Sequence, residues 1–305
     1  MLQYVLAVMM AIPAAAATTP ADTARLRAEL ERIVADHAGT VGISMRNLAT
    51  AERLSIRGDE TFPTASLIKV AQLVALLGEV EEGRMRLDER STMIGRDRVG
   101  GSGILKHMAS GTALTLEDLA WLMITLSDNT ATNLLLDKLD VRTVGAKMEA
   151  LGLPHSKIHS KTFRRQTSIA PDSSALYGLG VTTPDETVEL LALLAEGRAV
   201  SPAMDSLALA MLAANQDGNM MVRWLPPGTR VAHKTGSVDQ ARNDCGIIYS
   251  PAAPIALCVM TRENEDTSYA VDSAAHLLIA RIGRAVFRHY NPEVKLPDTP
   301  FEQSP

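Results

Sequence analysis

The apolar residues of this chain follow two rhythms, and the change between them divides it. Val41, Ile43 and Met45 alternate with small or polar neighbours, and so do Leu54 and Ile56 among Arg53, Ser55 and Arg57. A period of two marks half-buried strands, so an antiparallel pair is predicted around residues 47–52. Before it, Asp22 to His37 has the spacing of an amphipathic helix. From Leu67 to Leu77 the only polar residues are Lys69 and Gln72, which predicts a helix buried on most sides and ending near Gly83. Gly100, Gly101 and Gly103 mark a turn, and Thr115-Leu116-Glu117-Asp118 reads as a capping-box start for a helix reaching Ser127. Asn133 to Leu139 and Val144 to Leu151 keep helical spacing, while Thr183-Pro184-Asp185-Glu186 and Ser201-Pro202 open two more helices.

The strand rhythm returns late, at Val231 to Lys234, Gly246 to Tyr249 and Ile255 to Thr261. A closing helix is predicted from Thr267 to His289, with Val271, Leu277, Leu278, Ile282 and Val286 on its inner face. Strands at both ends with helices between imply an α/β (α+β) fold. A discontinuous sheet domain (20–63 plus 215–290) carries an inserted all-α domain (64–214), with a cleft between them as the natural site. The tail 291–305, rich in proline and charge, is expected to be disordered.

Composition changes this picture little. Hydrophobic content of 46% suits a sizeable buried core, and a net charge of −5 offers no basic patch for nucleic acid. Residues 1–17 are apolar and end in Ala14-Ala15-Ala16-Ala17, similar to a secretory signal although without Lys or Arg at its start. The run is too short for a membrane anchor and is interrupted by Pro13, so export to the periplasm or medium is expected, with no stable membrane span after cleavage. Cys245 and Cys258 flank the turn 250–254 and can lie opposite each other if the strands form a hairpin. A disulfide is compatible with export, but cross-strand bridges need particular geometry, and two free core thiols are the expectation. No Cys/His spacing suggests a metal site, and no cofactor is expected.

The chemistry centres on Lys69. Burying its ammonium costs several kcal/mol unless the charge is paired or the pKa falls. Ser66 lies three residues earlier, on the same helix face and within side-chain reach, in a first turn where free N–H groups favour developing negative charge. A hydroxyl, an amine able to lose its proton and a local positive field make an activated nucleophile. Ser-x-x-Lys alone is weak; two further clusters strengthen it. Ser127-Asp128-Asn129 follows a helix, and Lys234-Thr235-Gly236-Ser237 lies on the first late strand.

With these three motifs in this order, with Thr130 to Leu135, Thr182-Thr183-Pro184 and His233, nearly the whole mature chain resembles the class A β-lactamase-like, penicillin-recognising serine hydrolases. The resemblance implies the β-lactamase/transpeptidase-like fold, a five-stranded antiparallel sheet flanked by helices, and a monomer acting on a small-molecule substrate, a β-lactam or a D-Ala-D-Ala-type peptide. It implies Ser66 as nucleophile, Lys69 as base with its charge disfavoured by Lys234, and Ser127 as proton relay to the leaving nitrogen. The N–H groups of Ser66 and Ser237 would form an oxyanion hole worth about 3 kcal/mol per donor. Lys234, Thr235, Gly236 and Ser237 would bind the substrate carboxylate and Asn129 the acyl amide. Arg242 reads either as a second carboxylate anchor or as an exposed turn arginine.

One segment departs from the family's pattern. Class A enzymes that turn over carry a glutamate, within Glu-x-x-Leu-Asn, in the loop before Thr-Thr-Pro. Residues 161–174 here contain neither that glutamate nor its asparagine. Gln166 falls near the expected place, but an amide is no usable base. Asp172, the one carboxylate, reads as a turn residue, and His155, His159 and His233 are candidates that nothing distinguishes. The expectation is fast acylation and slow deacylation. Three readings stay open: a β-lactamase using another base such as Lys69, a D,D-peptidase-like or related amide/ester hydrolase, and a non-turnover β-lactam binder.

Overall fold

The computed structural model describes residues 20–299, so the leader expected at 1–17 lies outside the described residues. The first elements are α1 (Pro20–Ala35) and the strands β1 (Thr40–Asn47) and β2 (Arg53–Ile56). A short strand β3 (Phe62–Pro63) and a 3-10 turn (Ala65–Ile68) lead into α2 (Lys69–Glu81). The helical half follows: β4 (Arg90–Thr92), β5 (Ala113–Thr115), α3 (Leu116–Thr125), α4 (Asn129–Leu139) and α5 (Val141–Ala150). It continues with β6 (Lys157–Ile158), α6 (Pro171–Tyr177), β7 (Gly180–Thr182), α7 (Pro184–Ala195) and α8 (Pro202–Ala213). The chain returns to the sheet with β8 (Val231–Val238), β9 (Ala241–Tyr249) and β10 (Pro254–Arg262), then α9 (Ala274–Tyr290).

The five long strands form one antiparallel sheet in the order β2-β1-β10-β9-β8, which is the fold expected from the sequence. Its two faces bury different cores. Ile43, Met45, Ile248, Leu257 and Val259 pack with Leu26 and Leu30 of α1 and with Leu278, Ile282 and Val286 of α9. Ala232, Ile247, Ala256 and Met260 face α7 and the helical half, whose centre is α2, with Leu73, Val74, Leu76 and Leu77 fully or almost fully enclosed. No helix among the described residues is long and apolar enough to cross a membrane.

Several boundaries differ from the sequence reading. Helix α4 begins at Asn129, because Asp128 caps it by accepting from Ala131 N at 2.9 Å. Helix α9 begins at Ala274 rather than Thr267. Asp266 accepts from both Ser268 N and Ala274 N, which holds the intervening residues in an irregular segment. Val271 is therefore half exposed instead of facing inward. The tail from 291 is seated as far as Thr299: Val294 and Leu296 pack against the core, and Arg284 Nη1 donates to Pro297 O.

Cys245 and Cys258 form a disulfide, which corrects the expectation of free thiols. The antiparallel register sets them directly opposite each other on one face, with Cα atoms 4.0 Å apart, so register brings the thiols together. The same row runs Lys234–Cys245–Cys258–Ser44, so the bridge lies one strand from Lys234. Replacing both cysteines by alanine is expected to remove about 2–4 kcal/mol of stability. The check is the midpoint of urea unfolding at unchanged m; an unmoved midpoint would mean that strand pairing alone secures the row.

Candidate active site

Ser66 lies in the 3-10 turn before α2, not inside the helix as the periodicity suggested. The turn is held from the sheet side. Asn243 Nδ2 donates to Pro63 O (2.9 Å) and Thr64 O (3.1 Å), while its Oδ1 accepts from Thr261 N (3.2 Å). Strand β8 comes equally close: a β-carbon on Gly236 would lie 2.3 Å from Thr64 O and 3.2 Å from Ser66 N. Only glycine permits that approach, and it brings Ser237, the next residue, to the wall of the same cavities as Ser66. Ala65 has φ +45° and Ser127 φ +52°, so the residue just before Ser66 and Ser127 itself stand at left-handed backbone positions that non-glycine residues seldom adopt.

Lys69 is completely buried. Its Nζ donates to Ser127 O (2.8 Å), Ser127 Oγ (3.1 Å) and Asn129 Oδ1 (2.8 Å). Burial, then the charge of Lys234, push its pKa well below the usual lysine range, against a smaller opposing pull from Asp128. Three acceptors match the three protons of an ammonium, yet that charge is disfavoured here. Loss of one proton leaves a lone pair, and the longest bond, to the Ser127 hydroxyl, can then reverse direction. No hydrogen bond joins Lys69 Nζ to Ser66 Oγ among the described residues. Asn129 is fixed from its other side, its Nδ2 donating to Gly100 O at 3.0 Å.

Lys234 is also buried; its Nζ donates to Thr235 O at 2.9 Å. Burial lowers its pKa to about 8, opposed by the carboxylates of Asp217 and Asp244. Behind the strand, His233 Nδ1 meets Asp244 Oδ1 at 2.8 Å and Met221 N donates to Asp244 Oδ2 at 2.9 Å, an enclosed pair that braces β8 against β9. Ser66, Ser127, Lys234, Thr235, Gly236 and Ser237 line one cavity of about 430 Å³. Ser66, Asn129, Thr162, Phe163, Ser237 and Tyr269 line an adjoining one of about 460 Å³. The three sequence motifs therefore meet on one cleft.

Other candidates lie elsewhere. Arg242 is wholly buried rather than an exposed turn residue. Its guanidinium donates to the carbonyls of Asp239, Ala241, Thr267 and Ser268, and lies 4.2 Å from the Tyr269 ring centroid. With those acceptors engaged it lines neither cavity, so it braces the segment before α9. Gln166 is exposed and also lines neither cavity. Residues 160–165 of the loop line the cavity with Ser66, and among them Thr162, four positions before Gln166, has its backbone N and O both held by the Asn133 side chain (2.8 and 3.0 Å). Asp172 is exposed in the first turn of α6, His155 pairs with Glu186, and His159 meets Gly178 O at 3.2 Å. Sequence reasoning missed Asn243, Thr162 and Asn133. Arg242-Asn243-Asp244 is a polar triplet inside β9, and it made the strand appear to start only at Gly246.

Residues 9–290 match the sequence model of the Beta-lactamase enzyme family. A β-lactamase of Proteus vulgaris is 30% identical over 77% of this chain and 86% of its own. The solved β-lactamase of Sphaerobacter thermophilus is 31% identical with a TM-score of 0.78, covering 91% of this chain and all of that one. An ancestral class A β-lactamase gives 30% and 0.76, covering 86% of this chain and 98% of that one. Sheet order, buried lysines and relatives agree, and the chain belongs to the class A β-lactamase family of serine hydrolases.

Proposed function

We propose that the protein opens the cyclic amide of a β-lactam through an acyl-enzyme on Ser66 and releases the acyl group slowly. The Ser66 oxygen bonds to the carbonyl carbon as the C–N bond breaks. Its proton passes to neutral Lys69 and, through the Ser127 hydroxyl, to the departing nitrogen. The N–H groups of Ser66 and Ser237 stabilise the oxyanion. Lys234, Thr235 and Ser237 hold the substrate carboxylate, and Asn129 orients the acyl amide. The disulfide supports an exported, periplasmic or secreted enzyme.

The observation that carries slow release is at Thr162. Residues 159–170 contain no Asp or Glu, and the loop residue that Asn133 clasps at the cavity shared with Ser66 carries a hydroxyl. Its Oγ1 is buried without a hydrogen-bond partner. Water attacking the ester must lose a proton, and a threonine cannot take it at neutral pH. Lys69 is left as the nearest base, with its lone pair contested by Ser127.

A chromogenic cephalosporin followed by stopped flow, with intact-mass readout, tests this reading. A burst, a lasting adduct on Ser66 and slow turnover are expected. An adduct without any turnover would make the protein a binder, and turnover of a D-Ala-D-Ala peptide alone would make it a peptidase. Ser66→Ala should abolish the adduct; surviving label would put the nucleophile elsewhere. Thr162→Glu should shorten adduct lifetime tenfold or more, on the order of a general-base contribution. Gln166→Glu, on the exposed side, should leave it unchanged, and equal effects would refute the assignment of Thr162.

The acylation rate for carboxylate-bearing substrates should fall as pH rises through about 8, where Lys234 loses its proton. Stability should move the other way. The unfolded lysine, with a pKa near 10.5, binds more protons than the native one between these values, so stability rises with pH across that window. Lys234→Arg should extend the active range upward. An acylation profile flat to pH 10 in the wild type would mean that the ammonium plays no part in binding.

A further inference from the structure

Large apolar side chains left in solvent mark binding surfaces when they gather at one place. Phe163 (70% exposed) and Tyr269 (65% exposed) do so, lining the same cavity as Ser66 from different parts of the fold. Phe163 comes from the loop that carries Thr162, and Tyr269 from the irregular segment before α9.

Both rings are held in place. Phe163 has φ +56°, a left-handed position unfavourable for a bulky residue, and it directly follows the backbone that Asn133 grips at two points. Its ring lies over Gly101, where a β-carbon would come within 2.9 Å of it. Tyr269 is stacked on the Arg242 guanidinium, which also binds the carbonyls of Thr267 and Ser268 just before it. Pinned rings lose little freedom when a ligand arrives, so their contact area converts to affinity efficiently.

The cavity is on the acyl side of the nucleophile. Asn129 and Phe163 line it, Lys234 and Thr235 line its neighbour, and Tyr269 stands where the two adjoin, lining both. Leu179 and Val238 add apolar wall, and Lys161, Arg164 and Arg165 outnumber Asp239 in the charged lining, which disfavours a cationic side chain. About 460 Å³ accommodates a ring and its linker.

We infer that Phe163 and Tyr269 are specificity-determining residues that grip an aromatic ring on the acyl substituent, so the preferred substrates are β-lactams with an aryl-bearing acyl group. This rests on the acyl-enzyme reading above. The test compares the second-order rate constant for Ser66 labelling by benzylpenicillin with that for 6-aminopenicillanic acid, which shares the bicyclic nucleus but lacks the phenylacetyl group. Phe163→Gly, which suits the left-handed backbone, and Tyr269→Ala should each reduce the ratio of the two rates by about three- to tenfold. Tyr269→Phe should preserve it, because the ring and not the hydroxyl makes the contact. A ratio unchanged in both truncations, or lost equally in Tyr269→Phe, overturns the inference while leaving the acyl-enzyme intact. Failure of both compounds to label folded wild-type protein removes the acyl-enzyme reading and this inference together.

Discussion

The structure depends on two lysines kept out of water within one cleft. Among the described residues neither Lys69 nor Lys234 has a carboxylate in salt-bridge contact; Lys69 donates to carbonyl, hydroxyl and amide oxygens, and Lys234 to the Thr235 carbonyl. Such acceptors stabilise an ammonium less than a carboxylate would, so each lysine is held close to giving up its proton. The surroundings then read as the means of keeping that state: α2 is enclosed in aliphatic side chains, Ser127 is bent into a left-handed conformation, and Asp128 is engaged by the N–H groups of Ala131 and Leu105. Asp128 is near enough to moderate the shift at Lys69 without pairing with it.

The helical half and the sheet contribute different chemistry. From the helical side come Lys69, Ser127 and Asn129, the groups that in the proposed mechanism move a proton or orient an amide. From the sheet come Lys234, Gly236 and Ser237, which in that mechanism bind an anion or an oxyanion. The loop with Thr162 closes one side and, through Asn133, is tied to the helix that begins at Asn129. Under the proposed mechanism, a loop without a carboxylate would impair release and leave acylation untouched.

Much of this was legible in the sequence wherever periodicity and motif coincided. An almost unbroken apolar run around Lys69 announced a buried amine, and the alternation of β1 and β2 announced the sheet. Legibility failed where side chains bond to backbone far away. Arg242 looks like a turn residue because its carbonyl partners at 267 and 268 are remote in the chain, and the same bonds delay the start of α9 that apolar spacing placed earlier. Counting along the loop points to Gln166, but the stretch that lines the cavity with Ser66 is fixed by where Asn133 clasps the backbone of Thr162, a tertiary contact across 29 positions. The cysteine pairing was open for a related reason: register, not spacing, decides whether two thiols meet.

The clasp of Asn243 on Pro63 and Thr64 gives the nucleophile a particular allegiance. Although Ser66 opens the run into the helical half, its backbone rides with the sheet, wedged against Gly236. A breathing motion that parts the two halves would therefore carry away the Ser127 hydroxyl and the amide of Asn129, the proposed relay and acyl-amide contact, while Ser66 and Ser237 stayed in step. Thermal or chemical loosening of the cleft should thus disable proton delivery before it disables carbonyl binding.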